Sequence, residues 1–295
     1  MPASADPDIT TVVMSRNRRA DVLSTLGRHS RPVVLVDNAS TDGTVEAVRL
    51  LHPDVLVISL PANAGAPARN LGVRAAETPY VAFADDDSWW EPGSLEAAVS
   101  LLDEHETVGL LAARILVGPE DRLDPISTQM ADSPLPQRTG VPGAAVLGFV
   151  ACGCIVRKEA FLGVGGFDDV VFFPGEEQRV AYDLAAAGWD LAYVDELVVH
   201  HHPSTTRSSD AVRQRLIDRN ALLTALMRRP WPVVGRQTWR TVTSSWEGAR
   251  AAALAIPRVP AALARRRLLP AEVESRVRKL ETIESRSAGT SSRTR

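Results

Sequence analysis

Val81-Ala82-Phe83-Ala84-Asp85-Asp86-Asp87-Ser88-Trp89-Trp90 is a short apolar run that stops at three consecutive carboxylates and continues into two large aromatics. Such a run reads as a buried strand delivering acidic side chains to the open edge of a sheet. Three adjacent like charges repel one another, so a cation is expected beside them. Hard oxygen donors of this kind suit Mg²⁺ or Mn²⁺, with a nucleotide phosphate completing the shell. A solvated acidic turn is the competing reading of the same three residues.

The flanking sequence separates the two readings. Ile9-Thr10-Thr11-Val12-Val13-Met14 is β-branched and reads as a first strand, ending in the polar Ser15-Arg16-Asn17-Arg18-Arg19. Val22, Leu23 and Leu26 then mark a helix face. Pro32 to Val36 is a second strand, again ending polar at Asp37-Asn38-Ala39-Ser40-Thr41-Asp42-Gly43. Val45, Val48 and Leu51 mark the next helix, and Val55 to Ser59 a third strand. Strands alternating with helices predict an α/β fold, a mostly parallel sheet with helices on both faces. Ligands bind such sheets outside the carboxyl ends of the strands. Three strand ends turning polar together favour a site over a solvated turn.

Further candidates follow along the chain. Leu60 to Gly72 is a Gly- and Pro-bearing loop running into a small-residue helix, with Arg69 placed to clamp a phosphate or pair with the acids. Residues 118–143 are Pro-rich and irregular, long enough to suggest a lid. Val146 to Val156 reads as strand and contains both cysteines, Cys152 and Cys154, which read as small buried apolar residues. Glu176-Glu177 heads a helix, where the macrodipole alone would favour acids and where catalysis is the other reading. Trp189 to Val199 is the last strand of the body and runs into His200-His201-His202.

At this point the chain resembles the family 2 glycosyltransferases of GT-A fold, over roughly residues 9–203. The landmarks come in the family's order: Val36-Asp37-Asn38-Ala39-Ser40-Thr41-Asp42-Gly43-Thr44, Asn63-Ala64-Gly65 with Ala68-Arg69-Asn70, the aspartates, Gly165-Gly166-Phe167-Asp168, Glu176-Glu177, Gly188-Trp189 and the His run. The resemblance implies inverting transfer of a sugar from a nucleoside-diphosphate sugar, UDP- or dTDP-linked, to a hydroxyl of a lipid-linked or cell-envelope glycan. It implies Mg²⁺ or Mn²⁺ held by Asp85, Asp87 and His200. Ser15, Asn17, Asp37, Asn63, Gly65, Arg69 and Asp85 would bind the nucleotide. Trp89, Gly165, Gly166 and Asp168 would lie near sugar or acceptor. The family usually places Glu-Asp where this chain has Glu176-Glu177, so Glu177 is first choice as base and Glu176 second. A nucleotidyltransferase would want a Gly-rich loop after the first strand, which Ser15–Arg19 does not supply. A nucleotide-sugar-binding scaffold would not need the acids and glutamates that are retained.

Charge divides the chain. Residues 204–295 hold 19 Arg+Lys against 7 Asp+Glu, while residues 1–203 hold 14 against 29. Residues 1–8 read as a disordered start, 204–284 as a basic amphipathic helical extension and 285–295 as a disordered tail. Trp239, Trp246 and nearby arginines suit an anionic membrane surface, and docking on the acidic body is the alternative. No nucleic-acid motif accompanies the charge. Lacking a signal-like or bilayer-length apolar run, the sequence reads as cytoplasmic, with a peripheral place on the inner face of the plasma membrane.

Overall fold

A computed structural model of the chain describes residues 8–203 and 209–291. Most of the expected disordered start (1–7), the junction 204–208 and residues 292–295 lie outside the described residues. The described strands are β1 (Ile9–Ser15), β2 (Val33–Asp37), β3 (Leu56–Ser59), β4 (Tyr80–Asp85), β5 (Ser88–Trp90), β6 (Val108–Val117), β7 (Arg122–Leu123), β8 (Ala144–Ala145), β9 (Cys154–Arg157) and β10 (Asp190–His201). They form one sheet in the order β3-β2-β1-β4-β9-β6-β10-β5, with β7 added to β6 and β8 to β10. β3, β2, β1 and β4 are parallel, as are β6 and β10, while β9 runs against both of its neighbours and β5 against β10.

The sheet is buried on both faces, as near-continuous apolar strands require. Successive residues feed different clusters: Val12, Val36, Val81 and Phe83 join one, and Val13, Leu35 and Ala84 join another. The helix Arg69–Ala75 lies close on β1 and β2 because it carries Gly72 at the contact. A Cβ there would meet Val12 Cγ1 at 2.5 Å and Val36 Cγ2 at 3.0 Å. That close approach fixes where Arg69, at the head of the helix, enters the fold.

Two expectations change. Residues 118–143 are not featureless: they contain β7 and the helix Pro125–Ala131, capped by Asp124, whose Oδ1 accepts from Ile126 N at 2.9 Å. Val146 to Val156 is not one strand. It packs as buried irregular chain and a 3₁₀ turn (Ala151–Gly153), and only Cys154–Arg157 pairs in the sheet. A short apolar run reports burial, not extension.

The extension is helical, with segments Asp210–Arg228, Trp231–Ser244, Trp246–Ala255, Val259–Ala264 and Ala271–Ser291. The sequence-based tail boundary at 285 falls inside the last of these. The extension docks on the acidic body: Arg228 holds Asp183, Arg265 Nη1 donates to Asp168 Oδ1 at 2.8 Å, and Asn220 Nδ2 donates to the Pro174 carbonyl at 2.6 Å. Leu223 and Met227 pack with Val170 and Val171. Arg229 bonds Glu274 and Glu281 at 2.6 and 2.7 Å, tying the last helix to the first.

Gly72→Ala is expected to destabilise the protein by about 1–3 kcal/mol, because two β-branched valines with few rotamers must give way. Equilibrium urea unfolding measures it, and an unchanged midpoint would refute the close-packing argument.

Candidate active site

The sheet register puts three polar strand ends in one row. Ser15 pairs with Asp37, Met14 with Asp85, and Asp37 with Ser59. Asp37 is fully buried. Its Oδ2 accepts from Ser40 N at 3.0 Å, and its Oδ1 is a buried acceptor with no partner among the described residues. An unsatisfied buried carboxylate oxygen calls for a donor that is not part of the protein. The surrounding loops are mutually braced. Asn17 adopts a positive φ of 53° and accepts Thr41 N at 2.7 Å, while Asn38 Nδ2 donates to the Gly65 carbonyl at 3.1 Å and Asn38 Oδ1 accepts Ala64 N at 2.8 Å. Asn63 Oδ1 accepts Gly65 N at 2.9 Å, so Asn63 and Gly65 shape the loop itself.

Arg69 is 2% exposed and lies between two acidic elements. Its Nη2 is 2.5 Å from Asp85 Oδ1 and its Nη1 3.8 Å from Glu176 Oε1. Burial alone would lower the guanidinium pKa, but Asp85 and Glu176 together raise it. Of the two roles open to Arg69, pairing with the acid cluster is the one the geometry displays. Glu176 is buried, and both of its carboxylate oxygens lack a hydrogen-bond partner among the described residues. Desolvation and the adjacent Glu177 push its pKa well above the carboxylate range.

The three aspartates have different surroundings. Asp85 ends β4 facing Arg69. Asp86 turns toward Ser15 and Arg18, and burial between Asp85 and Asp87 pushes its carboxyl up to about 7. Asp87 Oδ1 lies 3.2 Å from His201 Nε2. Here the expected ligand needs correction: the imidazole that meets the acids belongs to His201, not His200. Successive side chains of β10 point to opposite faces. His200 Nδ1 instead meets Asp121 at 2.9 Å and its Nε2 meets Glu91 at 2.5 Å. A ring nitrogen of His201 and a carboxylate oxygen of Asp85 lie within 4.8 Å of each other. Asp85, Asp87 and His201 are therefore a mixed oxygen and imidazole set that fits a divalent cation.

The residues expected near sugar or acceptor have contacts of their own. Trp89 stacks on His200 at 5.2 Å between centroids, with the Arg28 guanidinium 4.0 Å from its ring. Gly165 and Gly166 form a tight turn, at φ of 86° and 63°. A Cβ on Gly166 would strike Asn70 Oδ1 at 2.5 Å, and Asp168 is taken up by Val170 N and Arg265.

Glu177 opens the helix Glu177–Ala186 and faces a cavity of about 310 Å³. Burial raises its carboxyl pKa, with opposing help from its own and the Ala151 backbone N–H groups and from Arg69. The cavity is also lined by Gln129, Phe149 and Tyr182, and by Val277 and Leu280 of the last helix. Sequence reasoning missed that wall. Its signal, apolar residues at helical spacing in the basic extension, names no partner surface. It also missed His201, because the phase of β10 at the His run is set by its pairing with β5 and β6, past a register shift between Val194 and Val198.

Residues 21–164 match the family model for Glycosyl transferase family 2. The chain is 27% identical over 211 residues to an N-acetylglucosaminyl-diphospho-decaprenol L-rhamnosyltransferase of Mycobacterium tuberculosis, covering 60% of this chain and 68% of that protein. It is 31% identical over 208 residues to a pre-mycofactocin glycosyltransferase of the same species, covering 68% of this chain and 44% of that one. In fold it is similar to the mannosyltransferase PcManGT from Pyrobaculum calidifontis, solved with GDP-Man and Mn²⁺. The TM-score is 0.58 at 20% identity, over 98% of this chain and 82% of that one. With the row of acids at the sheet's carboxyl edge, these matches establish that the chain belongs to glycosyltransferase family 2, with the GT-A fold.

Proposed function

We propose that this glycosyltransferase carries out inverting, divalent-metal-dependent transfer from a UDP- or dTDP-sugar to a hydroxyl of a lipid-linked or cell-envelope glycan. The observation that carries the reading is the Arg69 link, which brings the nucleotide end of β4 and the head of the Glu177 helix into one electrostatic unit. Asp37 Oδ1, buried and unpartnered, accepts from the nucleotide base. Asp85, Asp87 and His201 hold Mg²⁺ or Mn²⁺. The chemistry such an ion would supply there is neutralisation of the charge developing on the departing diphosphate. Glu177 takes the proton of the acceptor hydroxyl as its oxygen attacks the anomeric carbon and the bond to the nucleoside diphosphate breaks. A single displacement inverts the anomeric centre. The lipid-linked acceptor is proposed from the mycobacterial relative, whose name specifies a diphospho-decaprenol substrate.

A surface on the extension fits the same acceptor class. No helix among the described residues is long and apolar enough to cross a membrane. Trp239 and Trp246 are 70% and 75% exposed and Ile256 66%, beside exposed Arg240 and Arg250. Aromatics interleaved with arginines suit the interface of an anionic bilayer.

Asp87→Ala and Glu177→Gln are each expected to lower transfer by about 10²–10⁴-fold. Only the first should also weaken Mn²⁺-dependent nucleotide binding, measured by calorimetry. Near-normal turnover in Glu177→Gln would overturn the base assignment. Failure of any nucleotide sugar to bind or hydrolyse with Mn²⁺ would overturn the donor reading.

Because burial raises the Glu177 pKa, its deprotonated, base-competent fraction grows as pH rises through a value above that of an ordinary glutamate. The kcat/KM profile is expected to climb along an acid limb displaced upward. A flat profile across the carboxylate range and above it would contradict that.

Doubly substituted Trp239→Ser/Trp246→Ser protein is expected to lose flotation with phosphatidylglycerol vesicles while keeping its soluble activity. Equal flotation of both forms would remove the membrane surface from the proposal.

A further inference from the structure

The buried 3₁₀ turn Ala151–Gly153 carries a side chain that the proposed reaction does not use. Cys152 is 1% exposed. Its Sγ, a carboxylate oxygen of Asp85 and a ring nitrogen of His201 all lie within 4.8 Å of one another. Three atoms so spaced share a centre no more than about 2.8 Å from each, close to the roughly 2.0–2.3 Å of metal–nitrogen and metal–sulfur bonds. The placement is built into the fold. Gly153 lets the turn press onto β6 and β10, where a Cβ would stand 3.0 Å from Ile115 and 3.1 Å from Val199. The neighbouring Cys154 is engaged differently: it begins β9, and its Sγ donates to the Ala151 carbonyl at 3.6 Å.

We propose that Cys152 is a sulfur donor to the cation site, so that Asp85, His201 and Cys152 together hold a divalent ion of borderline or soft character. This rests on the reading of Asp85 and His201 as cation-binding residues. A carboxylate-only site ranks ions by size and hydration, and a thiolate adds preference for Mn²⁺, Co²⁺, Zn²⁺ and Cd²⁺ over Mg²⁺. Coordination replaces the S–H proton with the metal, and that proton leaves to solvent. The ion class that this site selects is then set by a residue outside the acidic strand end.

The test is cobalt titration of the full-length, metal-stripped protein under anaerobic conditions. The wild type is expected to show a thiolate-to-cobalt charge-transfer band in the near ultraviolet. The chain has two cysteines, so the source of any such band is separable. Cys154→Ser should keep the band, and Cys152→Ser should lose it while retaining the weaker visible bands of bound cobalt. Cd²⁺ affinity should fall by about 10–100-fold or more in Cys152→Ser, since even indirect partners of a metal are worth that much, with Mg²⁺ affinity nearly unchanged. Thermal unfolding of Cys152→Ser and Cys152→Ala checks that the variants fold. Cobalt binding without the charge-transfer band in the wild type, or a band that survives in Cys152→Ser, overturns the sulfur ligand while leaving the oxygen and imidazole site standing. Absence of any divalent binding overturns both.

Discussion

A guanidinium buried between two acidic elements holds this site together. Arg69 reaches Asp85 from one side and Glu176 from the other, at 2% exposure. Without it, partly exposed Asp85 at the end of β4 and buried Glu176 at the head of the Glu177 helix would face each other as like charges with no cation between them. Its position is set in turn by Gly72, whose missing side chain lets the Arg69–Ala75 helix settle on β1 and β2. Backbone packing, charge balance and the placing of the catalytic candidate are therefore one constraint. Asp86, buried between Asp85 and Asp87, is pushed up to about 7.

Much of this was legible in the sequence, for physical reasons that can be named. β-branched runs ending in polar loops gave a parallel sheet whose carboxyl edge holds Ser15, Asp37 and Asp85 in register. What stayed hidden depended on contacts distant in sequence. Three consecutive histidines do not say which one faces the acids, and that depends on the phase of β10, set by its pairing with β5 and β6. Gly166 and Asp168 belong to the family landmark, and they meet Asn70 and Arg265, partners that lie distant in sequence. The apolar stretch around Cys152 announced burial correctly and its conformation wrongly.

The charge asymmetry has a similarly concrete outcome. Several arginines of the basic half act as struts into the body or within the extension: Arg228 to Asp183, Arg265 to Asp168, and Arg229 to Glu274 and Glu281. Arg219 and Arg258 cap carbonyls of the Asp169–Val171 segment. Much of the apparent surplus is consumed internally. Arg240 and Arg250, near Trp239 and Trp246, are among the basic residues turned outward.

The cavity beside Glu177 has a wall supplied by Val277 and Leu280, a hundred positions later in the chain. The polar strand ends Ser15, Asp37 and Asp85 come from the first hundred residues, and one wall of this cavity comes from the last helix. Substitutions at Val277 or Leu280 would therefore reshape that cavity from a helix that carries none of the strand-end acids.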